Sequence, residues 1–162
     1  MISSIRGIVL HIGEGTLTLE VGGIGLRIAI TGSVHGAGPE VGKPFFLHTY
    51  LNVREDELSL YGFQSAEERG LFEVLLGVSG VGPKLALSML SNISPDVLRT
   101  AVANNQPEIL TRVPGIGKKT GEKIIFHLKD ILAAPTVELR IPSDVDTEVF
   151  GVLTSLGYSL IE

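Results

Sequence analysis

Val78-Ser79-Gly80-Val81-Gly82-Pro83-Lys84 and Val113-Pro114-Gly115-Ile116-Gly117-Lys118-Lys119 decide how this 162-residue chain folds. They are two copies of one pattern at an offset of 35 residues. Leu75, Val78, Gly80, Val81, Gly82, Lys84, Met89 and Leu90 correspond to Leu110, Val113, Gly115, Ile116, Gly117, Lys119, Ile124 and Ile125. Each copy reads helix, apolar residue, Gly-apolar-Gly, helix. The glycines permit a tight hairpin and bring bare backbone close to a ligand. The helix that follows offers unsatisfied N–H groups and the positive end of its dipole. Together these make an anion site suited to a DNA phosphate. Val81 and Ile116, between the glycines, are expected to point inward and lock each hairpin to its helices. A single Gly-x-Gly could be the corner of a structural helix pair; two in register, each followed by lysine, favour a tandem helix-hairpin-helix grip on duplex backbone.

Outward from the repeat, the period changes. Residues 1–62 alternate β-rich runs, Ile2–Leu10, Thr16–Val21, Gly25–Ile30, Phe45–Leu51 and Leu58–Phe63, with glycine turns. Five short strands predict a small antiparallel barrel of OB type, with an SH3-like barrel as the alternative. Gly22-Gly23-Ile24-Gly25 is read as a hairpin turn, not a nucleotide loop, because a strand follows it where a helix would be needed. Ser65 and Glu68 form a capping box that opens a helix to about Leu76. Ser94-Pro95-Asp96 and Gln106-Pro107 start two more. Helices at about 84–91 and 118–132 complete an all-α module.

The expected class is therefore α+β and multi-module: an OB barrel over 1–63, a tandem helix-hairpin-helix domain over 64–132, a proline-bounded linker over 133–144, and a C-terminal helical module over 145–162. The last is expected to be incomplete, since the chain reaches Glu162 before the apolar face of Val145–Leu156 is buried within its own module.

Composition bounds the chemistry. There is no cysteine, which excludes disulfides, cysteine-ligated zinc or iron-sulfur sites and a thiol nucleophile. The first residues lack a signal peptide's apolar run, and no stretch approaches a membrane span, so a soluble, cytoplasmic chain without targeting is expected. The net charge of −5 argues against a broad basic surface. It divides as −2 over 1–62, +1 over 63–130 and −4 over 131–162, which places any nucleic-acid grip in the middle. Backbone amides reconcile DNA binding with an acidic chain. They provide the grip at Gly80, Val81, Gly82, Gly115, Ile116 and Gly117, and Lys84, Lys118, Lys119 and Lys123 add the remaining charge. Phosphate contacts carry no base information, so the expectation is recognition of shape, with a shallow salt dependence. A Walker loop is disfavoured, because Gly117-Lys118 is followed by Lys119 where Ser or Thr belongs. No catalytic residue, metal or cofactor is predicted.

Val113-Pro114-Gly115-Ile116-Gly117-Lys118-Lys119-Thr120 and Gly80-Val81-Gly82-Pro83-Lys84-Leu85-Ala86 resemble the two hairpins of the RuvA family, the Holliday-junction recognition subunits of the RuvAB complex. Arg6-Gly7 and Val21-Gly22-Gly23-Ile24-Gly25 resemble that family's barrel. Val53-Arg54-Glu55-Asp56 and Leu60-Tyr61-Gly62-Phe63 resemble its acidic-pin segment, and Leu153–Ser159 its third domain. The resemblance implies a non-catalytic homotetramer that holds four-way junction DNA open for a RuvB-type hexameric ATPase in recombination, repair and the SOS response, with a junction resolvase as a further partner. It implies that Glu55 and Asp56 form a pin at the crossover, where carboxylates repel phosphates and guide separated strands outward. Without it, Arg54–Glu57 reads as a solvated hairpin tip. A metal site of Glu55, Asp56 and Glu57 is disfavoured, since adjacent strand residues cannot all face one ion. Gly121 departs from the family's usual alanine, at about 1 kcal/mol of helix propensity, and suggests close packing. Two other functions remain open at this point: a generic duplex-binding accessory subunit, and a base-excision-type enzyme carrying the same hairpin. The latter lacks a clear catalytic aspartate beyond the hairpin.

Overall fold

A computed structural model describes residues 2–133, with side-chain surroundings for 2–131. The expected linker and the helix at 145–156 lie outside the described residues. Residues 1–131 cluster as one compact unit.

Five strands come first: β1 (Ser4–Gly13), β2 (Thr16–Val21), β3 (Ile24–Ile30), β4 (Pro44–Val53) and β5 (Leu58–Phe63). A bulge between Val9 and His11 bends β1, so its first half pairs with β4 and its second half with β2. β2 and β3 join across Gly22-Gly23, whose φ values of 58° and 84° suit a two-residue hairpin turn. β4 and β5 are antiparallel, while β3 and β5 are parallel from Ile28 against Leu60 to Ile30 against Gly62. The order β1-β2-β3-β5-β4 closes into a barrel of OB type. Alternation along the strands sends Ile5, Val9, Leu17, Leu19, Ile28, Ile30 and Leu47 into its core.

A short helix that sequence reading did not anticipate, α1 (Gly32–Gly36), links β3 to β4. It has five residues, a glycine at either end, no side-chain cap and one buried residue, Val34, so it shows no helical period in the sequence. Its presence alters the expected capping box of α2 (Ala66–Leu76). Ser65 Oγ accepts from the Glu68 N–H at 3.1 Å, which is half of the box. Glu68 does not close the other half. Its buried Oε2 accepts from the Ser33 hydroxyl at 2.9 Å, the Gln64 N–H at 3.2 Å and the Thr31 hydroxyl at 3.5 Å. One carboxylate thus ties the barrel's connecting helix to the first helix of the α-module.

The remaining helices are α3 (Pro83–Asn92), α4 (Pro95–Ala103), α5 (Pro107–Leu110) and α6 (Lys118–Ala133). Among the described residues no helix is long and apolar enough to cross a membrane. Phe72 of α2 is fully buried against Phe63, Tyr61 and Tyr50, with ring centroids 4.9, 5.1 and 5.4 Å away. The outward face of β5 therefore joins the helical core instead of facing water. Such a shared core fixes the α-module against the barrel. Aromatic pairs of this kind contribute about 0.5–1.5 kcal/mol each beyond burial.

Candidate nucleic-acid interface

The two glycine hairpins have the same backbone. In the first, the Val78 N–H donates to Leu75 C=O at 3.1 Å, Val81 to Val78 at 3.0 Å and Ala86 to Gly82 at 2.9 Å. In the second, Val113 donates to Leu110 at 3.1 Å, Ile116 to Val113 at 3.0 Å and Gly121 to Gly117 at 2.9 Å. All of Leu75, Val78, Val81, Met89 and Leu90, and their counterparts Leu110, Val113, Ile116, Ile124 and Ile125, are buried. The offset of 35 in the sequence is thus a repeat of both core and turn. Val81 and Ile116 point inward as expected, which leaves the glycines on the outside.

The two glycines of each hairpin do different work. Gly80 and Gly115 have φ of 91° and 90°, a conformation that a side chain strongly disfavours. They make the turn. Gly82 caps α3 with φ −92° and ψ 172°, which any residue can adopt. A Cβ at Gly82 or at Gly117 would meet nothing within 4 Å. Their bareness serves no internal packing. It leaves the N-termini of α3 and α6 open to whatever approaches.

Those two termini also differ from the others electrostatically. The first turn of α2 carries Glu67 and Glu68, that of α4 Asp96 and that of α5 Glu108. Ser65 and Ser94 cap α2 and α4 with their hydroxyls. α3 and α6 have no acidic residue in their first turns, and α3 has no side-chain cap. The positive ends of these dipoles are left unneutralised within their own helices, ready for an external anion. Pro83 at the start of α3 removes one amide, so α6 offers one more donor than α3.

Lys84, Lys118, Lys119 and Lys123 are all exposed, and among the described residues none is paired with a carboxylate. Lys119 and Lys123 line one groove with Gly77, Val78 and Ser79, the approach to the first hairpin. Leu85 of α3 would lie 3.1 Å from a Cβ on Gly115, so α3 abuts the second hairpin. Gly121 has the close approach expected of it: a Cβ there would be 3.2 Å from Pro107 C=O, which draws α6 against α5. Glu55 and Asp56 are not part of this cluster. They form the exposed tip of the β4–β5 turn, closed by the Arg54 N–H donating to Glu57 C=O at 2.9 Å. Glu57 is turned aside, accepting from the Ser59 hydroxyl at 2.7 Å.

Residues 1–62 match the RuvA N terminal domain, and residues 72–130 match a SAM-like helix-hairpin-helix tandem. The chain is 48% identical to the Holliday junction branch migration complex subunit RuvA of Chloroflexus aggregans, over all of this chain and 85% of that protein. Identity to the subunits of the same name from Herpetosiphon aurantiacus and Geobacter metallireducens is 42% and 37%, covering 85% and 83% of them. The chain belongs to the RuvA family. Both hairpins fall inside the matched tandem, and the Glu55-Asp56 tip inside the matched RuvA N-terminal domain. Residues 63–71 lie between the two matches and contain Glu68, the carboxylate that ties α1 to α2.

Sequence reading named the hairpin glycines and lysines but passed over two features. One is Phe126, a large apolar side chain of α6 that is 69% exposed in the same groove as Lys119 and Lys123. The other is the cross-strand pair Val53 and Leu58, exposed just beneath the acidic tip.

Proposed function

We propose that this chain binds four-way junction DNA by shape, without sequence preference, and holds it open for branch migration by a separate ATPase. The observation that carries this reading is the pair of hairpins with identical hydrogen bonding, each opening a helix free of acidic residues in its first turn. Phosphates of two arms or of two strands would seat on the amides at Gly80–Gly82 and Gly115–Gly117, with Lys84, Lys118, Lys119 and Lys123 alongside. Such contacts fix orientation and carry no base readout. Membership of a family whose members are named branch migration complex subunits supports the choice of a junction over plain duplex.

On this reading Glu55 and Asp56 face the crossover and repel phosphates there. The protein acts as a non-catalytic homotetramer in the cytoplasm, together with a RuvB-type hexameric ATPase and a junction resolvase. Residues 1–63 and 64–132 serve as barrel and grip, 133–144 as tether, and 145–162 belong to the motor-facing module. A generic duplex-binding subunit would use the same hairpins. Anisotropy titrations against a four-way junction and a linear duplex of equal length separate the two, and equal affinity would remove the junction reading.

A further inference from the structure

The groove beside the first hairpin contains more than phosphate contacts require. Lys119, Lys123 and Phe126 lie at i, i+4 and i+7 of α6, hence on one face, with Lys123 about 6 Å and Phe126 about 10 Å along the axis from Lys119. Ile124, Ile125 and Leu128 bury the opposite face, whereas the Phe126 ring stands in water. Gly77, Val78 and Ser79 form the other wall. His127 packs against that wall, its Nε2 3.1 Å from the position of a Cβ on Gly77. The groove is open to solvent and has a volume of ≈ 490 Å³.

We propose that this groove holds unpaired DNA, with phosphates of one strand on Lys119 and Lys123 and a base stacked on Phe126. The proposal rests on the hairpins gripping DNA, because the groove is continuous with the first hairpin. A duplex hides the faces of its bases within the stack, so a ring beside it reaches only sugar. An unpaired base presents a π-face of any sequence, and an exposed aromatic beside cations is the usual platform for it. The span from Lys119 to Phe126 corresponds to about three steps of a stacked strand at 3.4 Å each. Glu122 shares the groove and leaves these three charged groups at a net +1. Stacking therefore contributes more of the affinity than charge does.

The test is anisotropy of a labelled oligothymidylate with the full chain, at several salt concentrations, beside a four-way junction. Phe126→Ala is expected to weaken oligothymidylate binding about thirtyfold, the middle of the range for one stacked base, with the salt slope unchanged. Phe126→Trp is expected to retain binding. Lys123→Ala should weaken it and reduce the slope by about 0.7, the single-strand value for one phosphate contact. Absence of oligothymidylate binding by the unmodified chain, or equal binding by Phe126→Ala, overturns the proposal. So does a fall in solution mass for Phe126→Ala with DNA binding intact, since the ring would then belong to a contact between copies of the chain. Junction binding by Gly82→Val with Gly117→Val reports on the hairpins separately: its retention sinks the hairpin grip, and its loss beside a neutral Phe126→Ala sinks only the groove.

Discussion

Replacing Gly82 and Gly117 by valine should abolish DNA binding in a protein that stays folded, whereas replacing Gly80 and Gly115 by alanine should unfold more readily. The contrast follows from geometry. A Cβ at Gly82 or Gly117 enters open space, and the φ of −92° at Gly82 accommodates a side chain. Valine is a poorer helix cap than glycine by about 1 kcal/mol, and the stiffer unfolded chain offsets roughly 0.4–1 kcal/mol of that. The melting temperature should therefore move by no more than about 2–4 °C per site. On the ligand side, a phosphate oxygen must come within about 2.9 Å of an amide nitrogen. Branched methyl groups at the cap occupy that approach. Losing two charge-assisted hydrogen bonds at about 1.5–3 kcal/mol each weakens binding by at least a hundredfold per hairpin. At Gly80 and Gly115, with φ near 90°, a side chain costs about 1–2 kcal/mol in the folded state itself. Urea unfolding and junction anisotropy at one salt concentration read both quantities. If Gly82→Val with Gly117→Val binds within a few-fold of the parent while its unfolding midpoint is unchanged, backbone amides do not carry the grip.

Lys118→Ala and Lys119→Ala should each weaken binding to all DNA sequences alike and reduce the slope of log affinity against log salt by about 0.9 on duplex arms; an unchanged slope removes that lysine from the phosphate contacts. Replacing Glu55 by Gln and Asp56 by Asn keeps shape and removes charge, so junction binding should hold or tighten while the rate of branch migration with the partner ATPase changes. Weaker binding would show that these carboxylates attract instead of repel. Glu68→Ala removes the acceptor shared by two hydroxyls and an amide, leaving the Thr31 and Ser33 hydroxyls only each other, and should destabilise the fold by about 1–3 kcal/mol in urea titration. Glu68→Gln, which keeps an oxygen in place, should be milder, and a parental midpoint for Glu68→Ala would mean that water substitutes for the carboxylate.

The five strands of the barrel were legible in the sequence because apolar residues alternate along them and glycine turns follow β1 and β2, whereas the parallel pairing of β3 with β5 departs from the antiparallel barrel expected. The hairpins were legible because the same apolar residues recur at the same offset. Features that depend on chain segments meeting in space were not. Glu68 reads locally as the third residue of a capping box, and only the unforeseen α1, with Ser33 and Thr31, converts it into a tie between modules. Phe126 sits next to Ile125 in an apolar stretch and reads as core. Its rotation about the helix axis, onto the face of Lys119 and Lys123, is the signal that would have set it apart. The division of labour between Gly80 and Gly82 depends on the sign of φ, which composition does not reveal.

The acidic total charge is consistent with this way of holding DNA. Most helix starts in the α-module are neutralised by their own carboxylates, and those residues account for much of its acidity: Glu67, Glu68, Asp96 and Glu108. The same charges would oppose DNA if they stood at α3 or α6, where none is found in the first turn. A chain that binds through amides does not need a broad excess of lysine; it needs carboxylates kept away from two helix ends. Placing an acid at either end should therefore be more damaging than deleting a nearby cation. Lys84→Glu and Lys119→Glu put a carboxylate into the first turn of α3 and α6, respectively. Each should favour its own helix by about 0.3–1 kcal/mol while repelling the incoming phosphate. Greater stability with weaker DNA binding is the expected signature, and binding losses no larger than those of Lys84→Ala and Lys119→Ala would show that the helix ends are not where the anion sits.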